Sequence, residues 1–253
     1  MARSILITGA GSGIGAGIAL ELARGGHHIV ATDLDGASAD AVAKQVVAAG
    51  GSAQGLALDV TKDASVDALA SALARPVDVL VNNAGLQHVS PLEEFPIAKW
   101  DLLVQVMLTG CARLTRALLP GMRERNFGRI VNIGSVHSIV ASKYKSAYVA
   151  AKHGLVGFSK VIALETADAD ITINTVCPAY VKTPLVDKQI ADQARTHGIP
   201  EAQVVKEIML KPMPKATFIT FEELAGITEF LIGPAARNIT GQTIVVDGGW
   251  TVQ

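Results

Sequence analysis

Short apolar runs alternate with helix-patterned segments almost throughout this chain, and that alternation restricts the fold more than any other feature. The runs are SILIT (4–8), HIVATD (28–33), AQGLALDV (53–60), PVDVLVNNAG (76–85), RIVNIGS (129–135), ITINTVCP (171–178) and IVVDGG (244–249). Runs without polar alternation suit parallel strands covered by helices on both faces. Parallel neighbours need long crossovers, and those are right-handed. The expectation is one α/β domain over 1–253 with a doubly wound parallel sheet. Helices are expected over about 13–24, 37–49, up to 74, from Pro96 with a second part stopping near Pro120, and around Tyr148. Segment 184–220 departs from the alternation. It is helical in pattern, carries Pro200, Pro212 and Pro214, and falls between the sixth run and the last helix, the place of a small helical lid over a substrate.

Composition agrees. Hydrophobic residues make up 49% but aromatics only 4%, so the core is built from small and branched side chains. The net charge is −1 with no basic run, which argues against a nucleic-acid partner. No apolar run reaches membrane-spanning length in this reading, so no membrane partner is expected. MARSILITGAG already reads as strand and turn, so no signal peptide is expected. Cys111 and Cys177 are too few for a disulfide framework or metal site, and His27 and His28 look like a strand entrance rather than ligands. A reducing, cytoplasmic setting without a metal is the expectation.

TGAGSGIG follows the first run directly. Gly9, Gly13 and Gly15 permit a tight turn, and the helix that opens there presents free amides to a pyrophosphate. Such a string is weak alone, but Asp33 ends the second run eighteen residues beyond Gly15. A carboxylate there bonds the adenosine ribose hydroxyls and repels a 2′-phosphate, which argues for NAD as cofactor. Asp35 reads as a turn residue. Asp59 could bond an adenine amino group or cap a helix. NNAG (82–85) ends the fourth run with small residues that let backbone approach a cofactor. In CPAYVKTP, Pro178 and Thr183 end the sixth; Thr183 could bond the nicotinamide amide or cap the lid helix.

The chemistry concentrates in Ser135, Tyr148 and Lys152. Tyr148 and Lys152 stand four apart on a helix and so share a face. Ser135 lies where the fifth run ends, beside the crevice that an open α/β sheet builds at its strand ends. Free tyrosine has a pKa of about 10, and a neighbouring Lys⁺ favours tyrosinate. A serine hydroxyl can then hold the oxygen at the reacting carbon.

With TGAGSGIG, NNAG, Ser135 and Tyr148-x-x-x-Lys152 in this order, the chain resembles the short-chain dehydrogenase/reductase family over nearly its whole length. The resemblance implies a seven-stranded Rossmann-like sheet and a homotetramer built by pairing long helices and C-terminal strands. It implies Tyr148 as general acid/base, Ser135 as substrate-orienting hydroxyl, and Lys152 as partner of the tyrosine and of the nicotinamide ribose. Carried over position by position, it adds Ser12, Ile14, Val60, Asn83, Ala84, Gly85 and Val181 to the cofactor site. One position departs. The family usually carries an asparagine at a kink of the long helix, holding a proton-relay water near the lysine, and Met107 stands there. A thioether cannot replace an amide's hydrogen bonds, though the Met107 carbonyl could hold the water.

NNAGLQH, VHSIVASKYKSAYVAAKHG, TPLVDKQI and VDGGW are further similar to bacterial 3-hydroxybutyrate dehydrogenases. In that group polar residues hold a small substrate carboxylate, and the matching positions are Gln87, His137, Lys145 and Gln189. Trp250 matches a pocket-wall tryptophan. The implied reaction is reversible, NAD-dependent oxidation of (R)-3-hydroxybutyrate to acetoacetate. The rivals are an acetoacetyl-CoA or 3-oxoacyl reductase of the same family and, in another class, a dinucleotide-binding scaffold or sensor without turnover.

Overall fold

The computed structural model describes residues 2–252; Met1 and Gln253, the ends of the expected domain, lie outside them. Seven strands form one sheet: β1 (Ser4–Thr8), β2 (His28–Asp33), β3 (Ser52–Ala57), β4 (Val79–Asn82), β5 (Gly128–Ile133), β6 (Ile171–Pro178) and β7 (Thr243–Val246). Their order is β3-β2-β1-β4-β5-β6-β7, and every pairing is parallel. Leu6 of β1 pairs in register with Val30 on one side and Leu80 on the other. The chain winds outward from β1 to β3, then returns to β4 on the other side of β1. That reversal opens a crevice beyond the carboxyl ends of the central strands.

Two cores follow from the strand period of two. Ile5 and Ile7 face the layer of α1 (Gly13–Arg24) and α9 (Phe221–Ile232), whereas Leu6 faces the opposite layer with Val30, Leu80 and Ile130. Burying each such side chain contributes about 1.5–3 kcal/mol. Helices α1 and α9 approach closely at Gly17, where an added Cβ would run into the Phe221 ring. The outer face of β2 and β3 is covered by α2 (Gly36–Ala48), and α3 (Asp63–Ala72) lies on the other side, against the long helix.

The long helix runs over Ile97–Glu124 as α4 (Ile97–Val104), a π turn (Gln105–Thr109) and α5 (Gly110–Glu124). It does not stop at Pro120. Pro120 forfeits one backbone bond, but the fully buried Met122 holds the last turn in the core, and Arg123 binds Asp168 at 2.9 Å. By length and composition this helix would pass for a membrane span, contrary to the sequence expectation. In this fold Leu103 and Met107 bury one face of it against α6 (Ser146–Glu165), and Leu114 joins the same core. β3 ends at Ala57, earlier than the run suggested, because Asp59 turns the chain by accepting from the Thr61 amide.

The segment expected to act as a lid, 184–220, holds α7 (Pro184–His197) and α8 (Glu201–Val204), which runs on as a π turn (Val205–Met209). It has its own small core of Val186, Ile190, Val204 and Met209. Its base closes where Val181 pairs with Ile219 and the Ile219 amide donates to the Tyr180 carbonyl.

Candidate active site

The turn after β1 is shaped by glycine. Gly9 and Gly13 have φ of +62° and +56°, a region that side-chain-bearing residues avoid. A Cβ on Gly9 would sit 2.9 Å from the Ala84 Cα, and one on Gly15 would strike the Gly9 carbonyl. Asn83 ties this turn to β4: its side-chain amide donates to the Thr8 and Gly9 carbonyls, and its backbone N–H donates to the Thr8 hydroxyl. Ser12 stands at the N-cap of α1 but lends no side-chain oxygen to the first-turn amides, so they face outward for an anion. Asp33 at the end of β2 accepts from the Gly11 and Asp35 amides at 3.0 and 3.2 Å. These two bonds aim its carboxylate along the turn.

A cavity of about 470 Å³ begins at Gly9, Ser12, Gly13, Ile14 and Asp33 and runs along the strand ends past Asn83 and Gly85. Val181 and Thr183 form part of its far wall. The glycine turn, the outward amides and a carboxylate at the ribose end fit a dinucleotide. Gly15 and Ala84 pack against Gly9 behind this wall, and neither they nor Pro178 line it. Asp59 and Val60 do not line it either. Asp59 accepts from the Thr61 backbone and hydroxyl, which holds its carboxyl below the ordinary range, and Val60 is buried in the core. Asp35 caps α2 by accepting from the Ala37 amide. Thr183 caps α7 by accepting from the Val186 amide and also lines the cavity.

Ser135, Tyr148 and Lys152 line the same cavity farther in. Ser135 follows β5 in extended conformation, and its hydroxyl accepts from the His137 amide at 3.2 Å. Tyr148 lies in the first turn of α6, with Lys152 one turn on. The Lys152 ammonium is buried, donates to the Ile133 carbonyl at 2.6 Å, and lies 5.7 Å from the centre of the Tyr148 ring. A strand carbonyl thus fixes the cation under the phenol. Met107 lines the cavity from within the π turn, its sulfur close to Gly85, and its backbone carbonyl accepts from the Cys111 thiol at 3.2 Å.

The inner end is polar. Gln87, His137, Lys145, Gln189 and Trp250, read from distant parts of the sequence, all line it. His137 Nε2 lies 3.1 Å from the Ser142 hydroxyl and 3.3 Å from the Lys145 ammonium. Burial, followed by the electrostatic influence of Lys145 and His153, pushes the His137 pKa down to about 4, so the ring is neutral at physiological pH. Burial also holds Lys145 below an ordinary lysine. The His137 ring meets Tyr148 and Trp250 edge-on, with centroids 6.1 and 5.9 Å apart.

Several contributors escaped sequence reading. Tyr180 lines the cavity and stacks on Trp250 at 5.9 Å and 25°. An aromatic two residues past Pro178, at a strand end, was the available signal. Leu86 and Val186 add apolar wall, and nothing in the sequence marks them.

The comparisons with known proteins agree with this geometry. The short chain dehydrogenase family model matches residues 3–194. The chain is 45% identical to a D-beta-hydroxybutyrate dehydrogenase of Rhizobium meliloti, covering all of both chains. It is 43% identical to a protein of that name from Cupriavidus necator, covering 99% of this chain and 98% of the relative. Among solved structures, a variant actinorhodin polyketide ketoreductase with NADPH superposes with a TM-score of 0.93 at 34% identity, covering 98% of this chain and 97% of that one. With strand ends, glycine turn and buried lysine arranged as described, and relatives matching along its whole length, this protein is an oxidoreductase of the short-chain dehydrogenase family.

Proposed function

We propose that the protein catalyses the reversible, NAD-dependent interconversion of (R)-3-hydroxybutyrate and acetoacetate. One observation carries the reading: a lysine, a neutral histidine and two glutamines share a small cavity with Ser135 and Tyr148. A C4 hydroxy acid offers few atoms, so its charged end must supply much of its orientation. Lys145 supplies a full positive charge to a carboxylate, and Gln87 and Gln189 supply directional donors. Trp250 and Tyr180 close the apolar side.

The nicotinamide supplies the hydride acceptor when bound. The chain's own residues do the rest. Ser135 holds the oxygen on carbon 3. Tyr148 takes the hydroxyl proton in oxidation and returns it in reduction. Lys152, fixed on the Ile133 carbonyl, stabilises the phenolate electrostatically. Asp33 favours NAD, because a carboxylate at the end of β2 opposes a 2′-phosphate. The whole-chain matches to D-beta-hydroxybutyrate dehydrogenases support the substrate.

The test is absorbance at the NADH band with the acid, its methyl ester and a panel of alcohols. The acid should be much the better substrate. If the ester is oxidised equally well, the pocket does not read a carboxylate and an acyl-thioester reductase takes the lead. Tyr148→Phe should lose about 10²–10⁴-fold in turnover while still binding NADH; substantial residual activity would mean another base.

A further inference from the structure

The end of the sheet carries a buried carboxylate that the reaction above does not use. Asp247 follows β7 and is buried. It accepts from the Gly249 amide at 2.9 Å and from the Thr251 amide and hydroxyl, both at 2.7 Å. Burial opposes its charge, but these bonds outweigh it, and the carboxyl stays below the ordinary range. The three bonds wrap the chain around one side chain, so Trp250, between the two bonded residues, leaves the turn in a set direction. That direction brings it onto the Tyr180 ring and against the edge of His137.

The turn is also fitted to its surroundings. Gly248 and Gly249 have φ of +60° and +92°. Added Cβ atoms there would press on Met213 at 3.2 Å and Pro214 at 3.3 Å, in the stretch that follows the π turn at Val205–Met209. The Gly248 carbonyl accepts from the Lys215 amide. Trp250 is therefore held from its own turn, not only by the rings it touches.

We propose that Asp247 is a positioning residue: by gripping Gly249 and Thr251 it sets the plane of Trp250, and through that plane the length of acyl chain the pocket admits. The specificity half rests on the substrate reading above; the positioning half does not. A misplaced indole opens the apolar side and leaves the carboxylate donors in place. Discrimination between short and long 3-hydroxy acids should then fall, with little change toward the cofactor.

Two readouts separate these halves. In protein labelled with fluorotryptophan, fluorine NMR follows Trp250, its signal assigned by Trp250→Phe. Asp247→Ala should shift and broaden that signal, and Asp247→Asn, which keeps an acceptor oxygen, should restore it in part. The ratio of kcat/KM for 3-hydroxybutyrate over 3-hydroxyhexanoate should fall about tenfold in Asp247→Ala, with KM for NAD within about twofold of wild type. An unmoved fluorine signal together with an unchanged ratio overturns the proposal. Should Asp247→Ala fail to fold, Thr251→Val, which removes a single bond, must show both changes on a smaller scale, and their absence overturns it equally. If wild type oxidises none of these acids, the substrate reading falls while the fluorine signal still decides the role of Asp247.

Discussion

The Lys145 ammonium stands 3.3 Å from Nε2 of His137, and this proximity decides what each presents to a ligand. A charged lysine has three donors and no acceptor, so Nε2 accepts and the imidazole stays neutral. Lys145 keeps N–H groups for a carboxylate.

This pairing predicts a pH dependence. Burial lowers the Lys145 pKa, so its charge is present at low and neutral pH and is lost on the alkaline side earlier than for an exposed lysine. KM for acetoacetate should therefore rise as pH increases through that lowered value, with KM for NADH flat. A charge-assisted bond contributes about 1.5–3 kcal/mol, so Lys145→Ala should raise KM for acetoacetate roughly tenfold to a hundredfold and remove the alkaline rise. Steady-state kinetics across pH checks both. A variant that keeps the alkaline rise assigns it to another group.

Asp33 predicts the nucleotide. Its carboxylate is aimed by the Gly11 and Asp35 amides, with no arginine beside it in the sequence. We expect kcat/KM with NAD to exceed that with NADP, and Asp33→Ser to narrow the gap by losing the ribose bonds and the repulsion together. Equal efficiencies in wild type would remove the assignment.

How much of this was legible follows from which contacts are local. The seven strands could be read because β1, β4, β5 and β6 are buried on both faces and so appear as plain apolar runs. The Tyr148–Lys152 pair could be read because helical spacing fixes its geometry. The π turn at Gln105–Thr109 has no glycine or proline to mark it before Gly110, and only the family resemblance, which implies a kink at Met107, pointed to it. Met122 overrode the stop signal of Pro120 through burial that only the folded sheet supplies. The stack of Tyr180 on Trp250 joins the ends of β6 and β7, so neither residue announces the other along the chain. The family resemblance supplied Gln87, His137, Lys145 and Gln189, which spacing alone would have left as loop residues.

Assembly is predicted by what the outer surface leaves uncovered. β7 is an edge strand, and Ile227, Phe230, Leu231, Ile244 and Val246 line an apolar groove between it and α9, with Phe230 half exposed. On α6, Leu164 and Val161 are exposed as well. Two separate apolar faces suit a tetramer with two kinds of contact. Light scattering at micromolar concentration should give a tetramer, and Phe230→Glu should reduce it to dimers. A monomeric wild type would contradict this.

Met107 gives the last prediction. It occupies the position where the family usually carries the relay asparagine, and it is 1% exposed within the π turn. Its carbonyl already accepts from the Cys111 thiol, and burial raises that thiol's pKa to about 11, so it remains a protonated donor. A carbonyl oxygen has two lone pairs, so the thiol bond does not by itself close it to a water. If the backbone carries the relay, the side chain at this position adds packing rather than proton transfer. Met107→Asn should then change kcat by less than about threefold. It should also cost stability, because the amide replaces a thioether packed on Gly85 and must find partners in an apolar setting. An unsatisfied buried amide costs about 1–3 kcal/mol, and each kcal/mol lowers Tm by about 2–4 °C in a chain of this size. A Tm drop of several degrees with nearly constant kcat is the expected result, read from thermal unfolding and initial rates on the same preparation. A gain in kcat of about tenfold or more would show instead that the wild type is limited by the missing amide, and that Tyr148 and Lys152 work here with an incomplete path to solvent.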